Sequence, residues 1–243
     1  MKVIAVIPAR LGSTRLKEKM IKNLCGKPLV WWTYQRAIKS NVYDVIIATD
    51  SILIKDILEK NGCKVIITKK SHKCGTERIA EVSRKIFADF YINVQGDEPL
   101  IKPEIINLII KYIKKHPESE IVTVKKLINN ESEIFNPNVV KVVTDKNNNA
   151  LYFSRSPIPF NRDNIKNIKY YKHLGIYCYK NLVLQKIVKL KESELEKTEK
   201  LEQLRWLENG FKIKVLETKY DTISVDTEED FKRVEDILKK NLT

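Results

Sequence analysis

A chain of 243 residues, 43% hydrophobic and 31% charged, is long enough to bury a sizeable core and too apolar to be intrinsically disordered. Its formal net charge of +14 admits nucleic acid, an anionic membrane or an anionic small molecule as partner. The lysines are scattered on what read as exposed helix faces, with no basic block or tail, so the charge is read as solvated surface, not as a nucleic-acid footprint.

Apolar runs and amphipathic segments alternate through the first half. Val3–Ile7 predicts a strand, and a loop with one glycine and several cationic side chains follows it. Pro28–Lys39 predicts a helix with proline in its first turn. Strand Val42–Ala48 is followed by helix Ser51–Asn61, closed by Gly62. Strand Lys64–Thr68 precedes helix Thr76–Ala88; strand Phe90–Gln95 precedes helix Pro103–His116; Ile121–Lys125 is a further strand. Short strands alternating with longer helices predict parallel βαβ units and an α/β sheet. From there the pattern turns to mixed α+β. Val139–Thr144 and Ala150–Ser154 read as a hairpin, Tyr170–Tyr179 as a strand and Leu182–Leu190 as a helix. Ser193 with Glu196 forms a capping-box pattern ahead of helix Leu201–Glu208, which ends at Gly210. Lys212–Leu216 is a strand, and Thr227 with Asp230 reads as an N-cap pair opening a last helix to Lys240. No repeat, linker or composition break is visible, so one unit with an inserted lobe is expected.

The four cysteines, Cys25, Cys63, Cys74 and Cys178, stand in no CxxC or zinc spacing and read as free thiols of a reducing compartment. No apolar run approaches the roughly 20 residues of a membrane helix. The chain starts directly in a strand, without a cationic leader, so a cytoplasmic protein without a signal peptide is expected.

Four constellations carry possible chemistry. The opening loop holds Arg10, Arg15 and Lys19 as charges, Gly12 for close backbone approach, and the hydroxyls of Ser13 and Thr14. Strand, small-residue loop and helix form a cradle for phosphate. The loop is neither a Walker A nor the GxGxxG fingerprint, which argues against a dehydrogenase. Second, Gln95-Gly96-Asp97 ends a predicted strand, where a carboxylate suits either a hard divalent cation or the cap of the next helix. Third, Asp226 precedes the last helix and reads first as its N-cap, second as a metal ligand. Fourth, His72 to Arg78 make a glycine turn into a helix N-terminus. Arg155, His173, Glu202 and Gln203 are candidate sugar or carboxylate contacts. A lone His173 also fits plain structure, and the Glu202-Gln203 pair also fits a solvated helix face. Trp31 and Trp32 read as core or interface aromatics.

In order, IPARLGSTRLKEK, HKCGTERIAEV, NVQGDEPLI, LYFSRSPIPF, YKHLGIYCY, LEQLRWLENG and VDTEEDFKRV resemble the CMP-KDO synthetases, the 3-deoxy-manno-octulosonate cytidylyltransferases of the nucleotidyltransferase superfamily. The resemblance runs from about residue 3 to residue 238. It implies a Rossmann-like, three-layer α/β core, about 1–130 and 205–243, with a smaller inserted α+β lobe, about 131–204, for sugar binding and dimerisation. It implies CTP and the acid sugar KDO as substrates, Mg²⁺ as cofactor, a homodimer, no nucleic-acid or membrane partner, and a role in lipopolysaccharide biosynthesis. A related acid sugar, 8-amino-KDO or a sialic-type nonulosonate, is the alternative substrate. By matching positions, Arg10, Arg15 and Lys19 hold the triphosphate in the loop of Gly12 and Ser13. Ala9, Gln95 and Gly96 face cytosine and ribose, helped by Cys74, Gly75 and Arg78. Asp97 and Asp226 hold Mg²⁺. Arg155, His173, Tyr177, Glu202 and Gln203, with Gln95, line the sugar pocket. The family reads STRLPGKPL where this chain has Ser13 to Ile21. The lysine keeps its register, so the change bears on loop stiffness, not on phosphate binding. Cys74 stands where the family's HxSGTER has serine, a weaker donor that bears on nucleotide choice or affinity.

Overall fold

The computed structural model describes residues 1–12, 16 and 18–242, with the backbone alone at 241 and 242. Two compact units divide it: Met1–Lys111 with Asp221–Thr243, and Tyr112–Tyr220. The stretch 131–204, expected as a lobe, falls inside the second.

The first unit opens with β1 (Val3–Ala9), buried at every position but Pro8, as a central parallel strand covered on both faces must be. A short 3-10 turn (Lys19–Ile21) and a small hairpin, β2 (Asn23–Leu24) and β3 (Lys27–Pro28), lead to α1 (Leu29–Ile38). Cys25 and Gly26 both take positive φ, 48° and 82°, which is the backbone a two-residue hairpin turn requires. Then come β4 (Asp44–Thr49), α2 (Ile52–Lys60), β5 (Val65–Ile67), α3 (Gly75–Lys85), β6 (Phe90–Asn93) and α4 (Pro103–Lys115), whose last residues belong to the second unit. Ser51 caps α2 through Ile54 N, and Gly62 closes it at φ 77°.

The second unit comprises β7 (Ile121–Leu127), α5 (Glu131–Phe135), β8 (Lys141–Thr144), β9 (Ala150–Ser154), β10 (Tyr171–Lys180), α6 (Asn181–Ile187), α7 (Glu194–Glu199), α8 (Glu202–Glu208) and β11 (Ile213–Glu217). The chain returns to the first unit with α9 (Glu228–Leu242).

In the first unit the strand order is β6-β1-β4-β5, every pair parallel, with Ala9 opposite Thr49 and Val6 opposite Asn93. The carboxyl ends of β1, β4 and β6 therefore share one edge, the place where α/β sheets bind ligands. In the second unit β7 pairs parallel with β11 and antiparallel with β10, β8 and β9 form the expected hairpin, and β8 joins β10.

The differences from expectation are local. The capping box of Ser193 and Glu196 does not introduce the 201–208 helix but opens a short helix of its own, α7. Lys200 then turns left-handed at φ 52° and α8 restarts after Leu201. The predicted helix to Ala88 stops at Lys85, because the Tyr91 hydroxyl accepts from Ala88 N and donates to Ile86 O, which fixes a turn there. β6 ends at Asn93, two residues early, although Val94 N still donates to Val6 O at 3.0 Å. Helix α5 and the β2–β3 hairpin were not foreseen. Trp31 and Trp32 pack edge to face, 5.1 Å between centroids, and their indole N–H groups donate to the carbonyls of Asn61 and Leu24.

Candidate active site

In the first unit one ammonium sits between two carboxylates. Lys19 Nζ donates to Asp97 Oδ2 at 2.7 Å and to Asp226 Oδ1 at 3.1 Å. Local packing explains the meeting. Gly96 comes so close to β1 that a Cβ there would stand 3.0 Å from Pro8 O, and its carbonyl accepts from Thr33 Oγ1 at 3.0 Å. Asp97 O accepts from Val225 N at 2.9 Å, which ties the segment before α9 to the turn after β6. Val225 also belongs to an apolar cluster with Leu16, Leu24, Leu29, Phe231, Val234 and Leu238, so the loop carrying Lys19 and the start of α9 share one core. Burial works against the Lys19 ammonium, but the charges of Asp97 and Asp226 outweigh it and raise its pKa above 10.5.

This corrects the first reading of Asp226. Thr227 and Asp230 cap α9 reciprocally, Thr227 Oγ1 accepting from Asp230 N at 3.1 Å and Asp230 Oδ2 from Thr227 N at 2.9 Å. The Asp226 carboxylate is left to face Lys19. Two hard oxygen donors around one cation fit Mg²⁺, which takes one or two protein carboxylates and completes its shell with water and phosphate oxygens. Among the described residues no group of three or more His, Cys, Asp or Glu is set to hold a metal.

Glu98 escaped the sequence reading. It is buried, and burial, helped by the charge of Asp97 and opposed by the Thr222 hydroxyl, pushes its pKa up to about 8. At neutral pH it is mostly a neutral acid. Two adjacent carboxylates at the end of a buried strand were the available signal, since both cannot ionise cheaply there.

The loop before α3 is pinned from beneath. His72 Nε2 lies 2.6 Å from Glu81 Oε2, and the same oxygen accepts from Lys69 N at 2.9 Å. Burial opposes the Glu81 charge, but the Lys69 amide, Lys85 and His72 outweigh it and lower the pKa to about 2. Arg78 is buried, with its guanidinium on Asp50 Oδ2 at 2.9 Å and on Thr68 Oγ1. Its charge thus anchors the ends of β4 and β5, and Asp50 was not foreseen. Cys74 occupies the N-cap of α3 with extended backbone and no side-chain cap bond.

A cavity of about 420 Å³ opens here, room enough for a nucleotide-sized ligand. Arg10, Gly12, Lys19, Cys74, Gly75, Arg78, Gln95, Asp97 and Asp226 line it, joined by Pro8, Met20, His72 and Lys73. Ala9 and Gly96 are buried beside it. Ser13 and Arg15 lie outside the described residues.

The remaining predicted residues belong to the second unit. The His173 and Tyr177 rings tilt against each other, 5.2 Å between centroids, and Tyr177 meets Trp206 of α8 edge to face at 5.2 Å. Burial raises the Tyr177 pKa well above 10, with the charges of Tyr179 and Glu202 adding to it. Trp206 Nε1 is buried without a hydrogen-bond partner among the described residues. Gln203 is buried, and Glu202 pairs with Arg205 at 3.0 Å, so neither stands on a freely solvated face. Arg155 is held by the carbonyls of Glu199 and Pro137.

A parallel sheet, a cationic loop after β1 and acidic ends of distant segments define a nucleotide-transfer site. The sequence pattern of the family described as Cytidylyltransferase matches residues 4–233, and the chain belongs to that family. Its branch is that of the CMP-KDO synthetases. The chain is 49% identical to the 3-deoxy-manno-octulosonate cytidylyltransferase of Chloroherpeton thalassium, covering all of both chains. It is 48% identical to that of Fusobacterium nucleatum over 99% of this chain and 98% of the relative. The solved structure of CMP:2-keto-3-deoxy-manno-octonic acid synthetase complexed with CTP superposes with a TM-score of 0.95 at 39% identity, over 99% of this chain and 100% of that one.

Proposed function

We propose that this cytidylyltransferase activates KDO with CTP, releasing CMP-KDO and pyrophosphate. The observation that carries the reading is the Lys19 ammonium held between Asp97 and Asp226 beside the nucleotide-sized cavity. The sugar's anomeric hydroxyl attacks the α-phosphorus, the bond to the β-phosphate oxygen breaks, and pyrophosphate leaves. No protein nucleophile is needed, so positioning and charge neutralisation supply the rate. Arg10 and Lys19, with Arg15, take the charge of the triphosphate and of the departing pyrophosphate. Gln95 and the loop of Cys74 and Gly75 orient the nucleoside. Asp97 and Asp226 would hold Mg²⁺, which would supply neutralisation of phosphate charge and a lower proton affinity of the attacking hydroxyl. Arg155, His173, Tyr177, Glu202 and Gln203 bind the sugar.

The same reading makes the protein a cytoplasmic homodimer whose product serves lipopolysaccharide synthesis. Among the described residues no helix is long and apolar enough to cross a membrane, and the cysteines are free thiols. Pyrophosphate release is measured over a panel of nucleoside triphosphates and acid sugars with Mg²⁺. CTP with KDO is expected to give the highest kcat/KM. A higher value with 8-amino-KDO or a sialic-type sugar overturns the substrate assignment.

A further inference from the structure

In the second unit, β7 sets Thr123 opposite Tyr177, at the bulge of β10 between Leu174 and Tyr177. The Thr123 hydroxyl stands 2.7 Å from Ile176 O, 3.4 Å from Leu174 O and 2.9 Å from His173 Nε2. A hydroxyl has one proton, and a carbonyl only accepts. At 2.7 Å, two oxygens without a proton between them would repel. The Thr123 proton therefore goes to Ile176 O, and the oxygen offers His173 only a lone pair. For the 2.9 Å contact to be a bond, His173 must donate from Nε2.

The ring has little freedom to choose otherwise. Phe153 meets it edge on at 5.0 Å and Tyr177 tilts against it at 5.2 Å. Its backbone N–H is fixed on Val140 O at 2.8 Å. Burial drives the imidazole pKa down to about 3, so the ring is neutral at any working pH and carries a single N–H. With that proton on Nε2, Nδ1 is a bare acceptor. Among the described residues every polar contact of the ring runs through Nε2.

We propose that Thr123 is a positioning residue that holds His173 as the Nε2–H tautomer, so that Nδ1 accepts a hydrogen bond from a hydroxyl of the bound sugar. The proposal rests on the reading that His173 lines the sugar pocket. Thr123 itself touches no substrate. Its isostere valine keeps the packing but removes the lone pair, while serine keeps it.

Long-range ¹H–¹⁵N correlation on histidine-labelled protein reads the tautomer directly. The chain has three histidines, and His173→Gln identifies the signal. The wild type is expected to show Nε2 protonated and Nδ1 unprotonated. Thr123→Val is expected to mix or invert the tautomers and to raise KM for KDO roughly tenfold, the scale of one hydrogen bond. KM for CTP should stay within about twofold, the spread expected when no bond is lost. Thr123→Ser is expected to restore the wild-type pattern and KM. A wild-type proton on Nδ1, or an unchanged tautomer in Thr123→Val, overturns the proposal and leaves the sugar-pocket reading standing. The expected tautomers together with an unmoved sugar KM in both Thr123→Val and His173→Gln overturn the sugar-pocket reading, and the proposal with it.

Discussion

Replacing Lys19 by methionine keeps most of the side chain's length and removes its charge, and the consequences for a divalent cation follow from the geometry. In the free enzyme the ammonium holds both carboxylates, 2.7 Å from Asp97 and 3.1 Å from Asp226, so a divalent cation bound by both would displace it. A hydrogen bond to a charged group contributes about 1.5–3 kcal/mol. The Asp97 bond is sheltered, since the Lys19 side chain is 9% exposed, but Asp226 is 39% exposed and its share is screened by water. Displacement therefore costs about 1.5–3 kcal/mol, mostly through Asp97. Lys19→Met is expected to bind Mn²⁺ about 10- to 100-fold more tightly than wild type in the absence of nucleotide, the same energy expressed as affinity. Without metal the variant is expected to lose about 1–3 kcal/mol of stability, because two carboxylates then face each other uncompensated. Calorimetric or paramagnetic titration of the free protein with Mn²⁺ makes the measurement. Turnover should fall all the same, since on the proposed reading Lys19 also neutralises the triphosphate. Equal or weaker Mn²⁺ binding by Lys19→Met refutes the reasoning, because the carboxylates then do not share one cation's place.

Gly96→Ala brings a methyl to 3.0 Å from Pro8 O and 3.1 Å from Met20 Sδ, and an overpacked site of this kind costs about 1–3 kcal/mol, checked by chemical denaturation. Cys74→Ser places a good N-cap residue at the start of α3, where Cys74 makes no side-chain cap bond, and is expected to add about 0.5–1 kcal/mol to stability, read by the same assay. Glu81 stabilises the fold fully above the unfolded pKa of 4.5, and that contribution disappears as the pH falls through about 2. The stability gap between wild type and Glu81→Gln should therefore close across that window, and a constant gap from pH 5 to 2 contradicts the assignment.

The alternation of strand and helix was legible because burial of a parallel sheet on both faces forces continuous apolar runs, as at Val3–Ile7, while helices such as Ile52–Lys60 must keep one polar face. The chain breaks that were missed depend on single backbone states or distant side chains. Lys200 at positive φ separates α7 from α8, yet lysine carries no turn signal. Tyr91 ends the region after α3 through its hydroxyl, a contact no periodicity encodes. At the site, Lys19, Asp97 and Asp226 were nameable from residue type and position at element ends. That all three meet depends on the Val225–Asp97 backbone bond and the cluster around Leu16 and Phe231, which only the fold reveals. Asp50 and Glu98 each follow a strand. Their importance comes from their surroundings, the buried Arg78 guanidinium in one case and full burial beside Asp97 in the other.

The central claim is that Asp97 and Asp226 act together on one triphosphate. The most direct measurement is Mg²⁺-dependent pyrophosphate release from CTP and KDO by Asp97→Asn, with folding verified by circular dichroism. The account predicts a native spectrum and turnover lower by about 10³-fold or more, the scale of losing a charge that organises a transferring phosphoryl group. Near-wild-type release by that variant would contradict it.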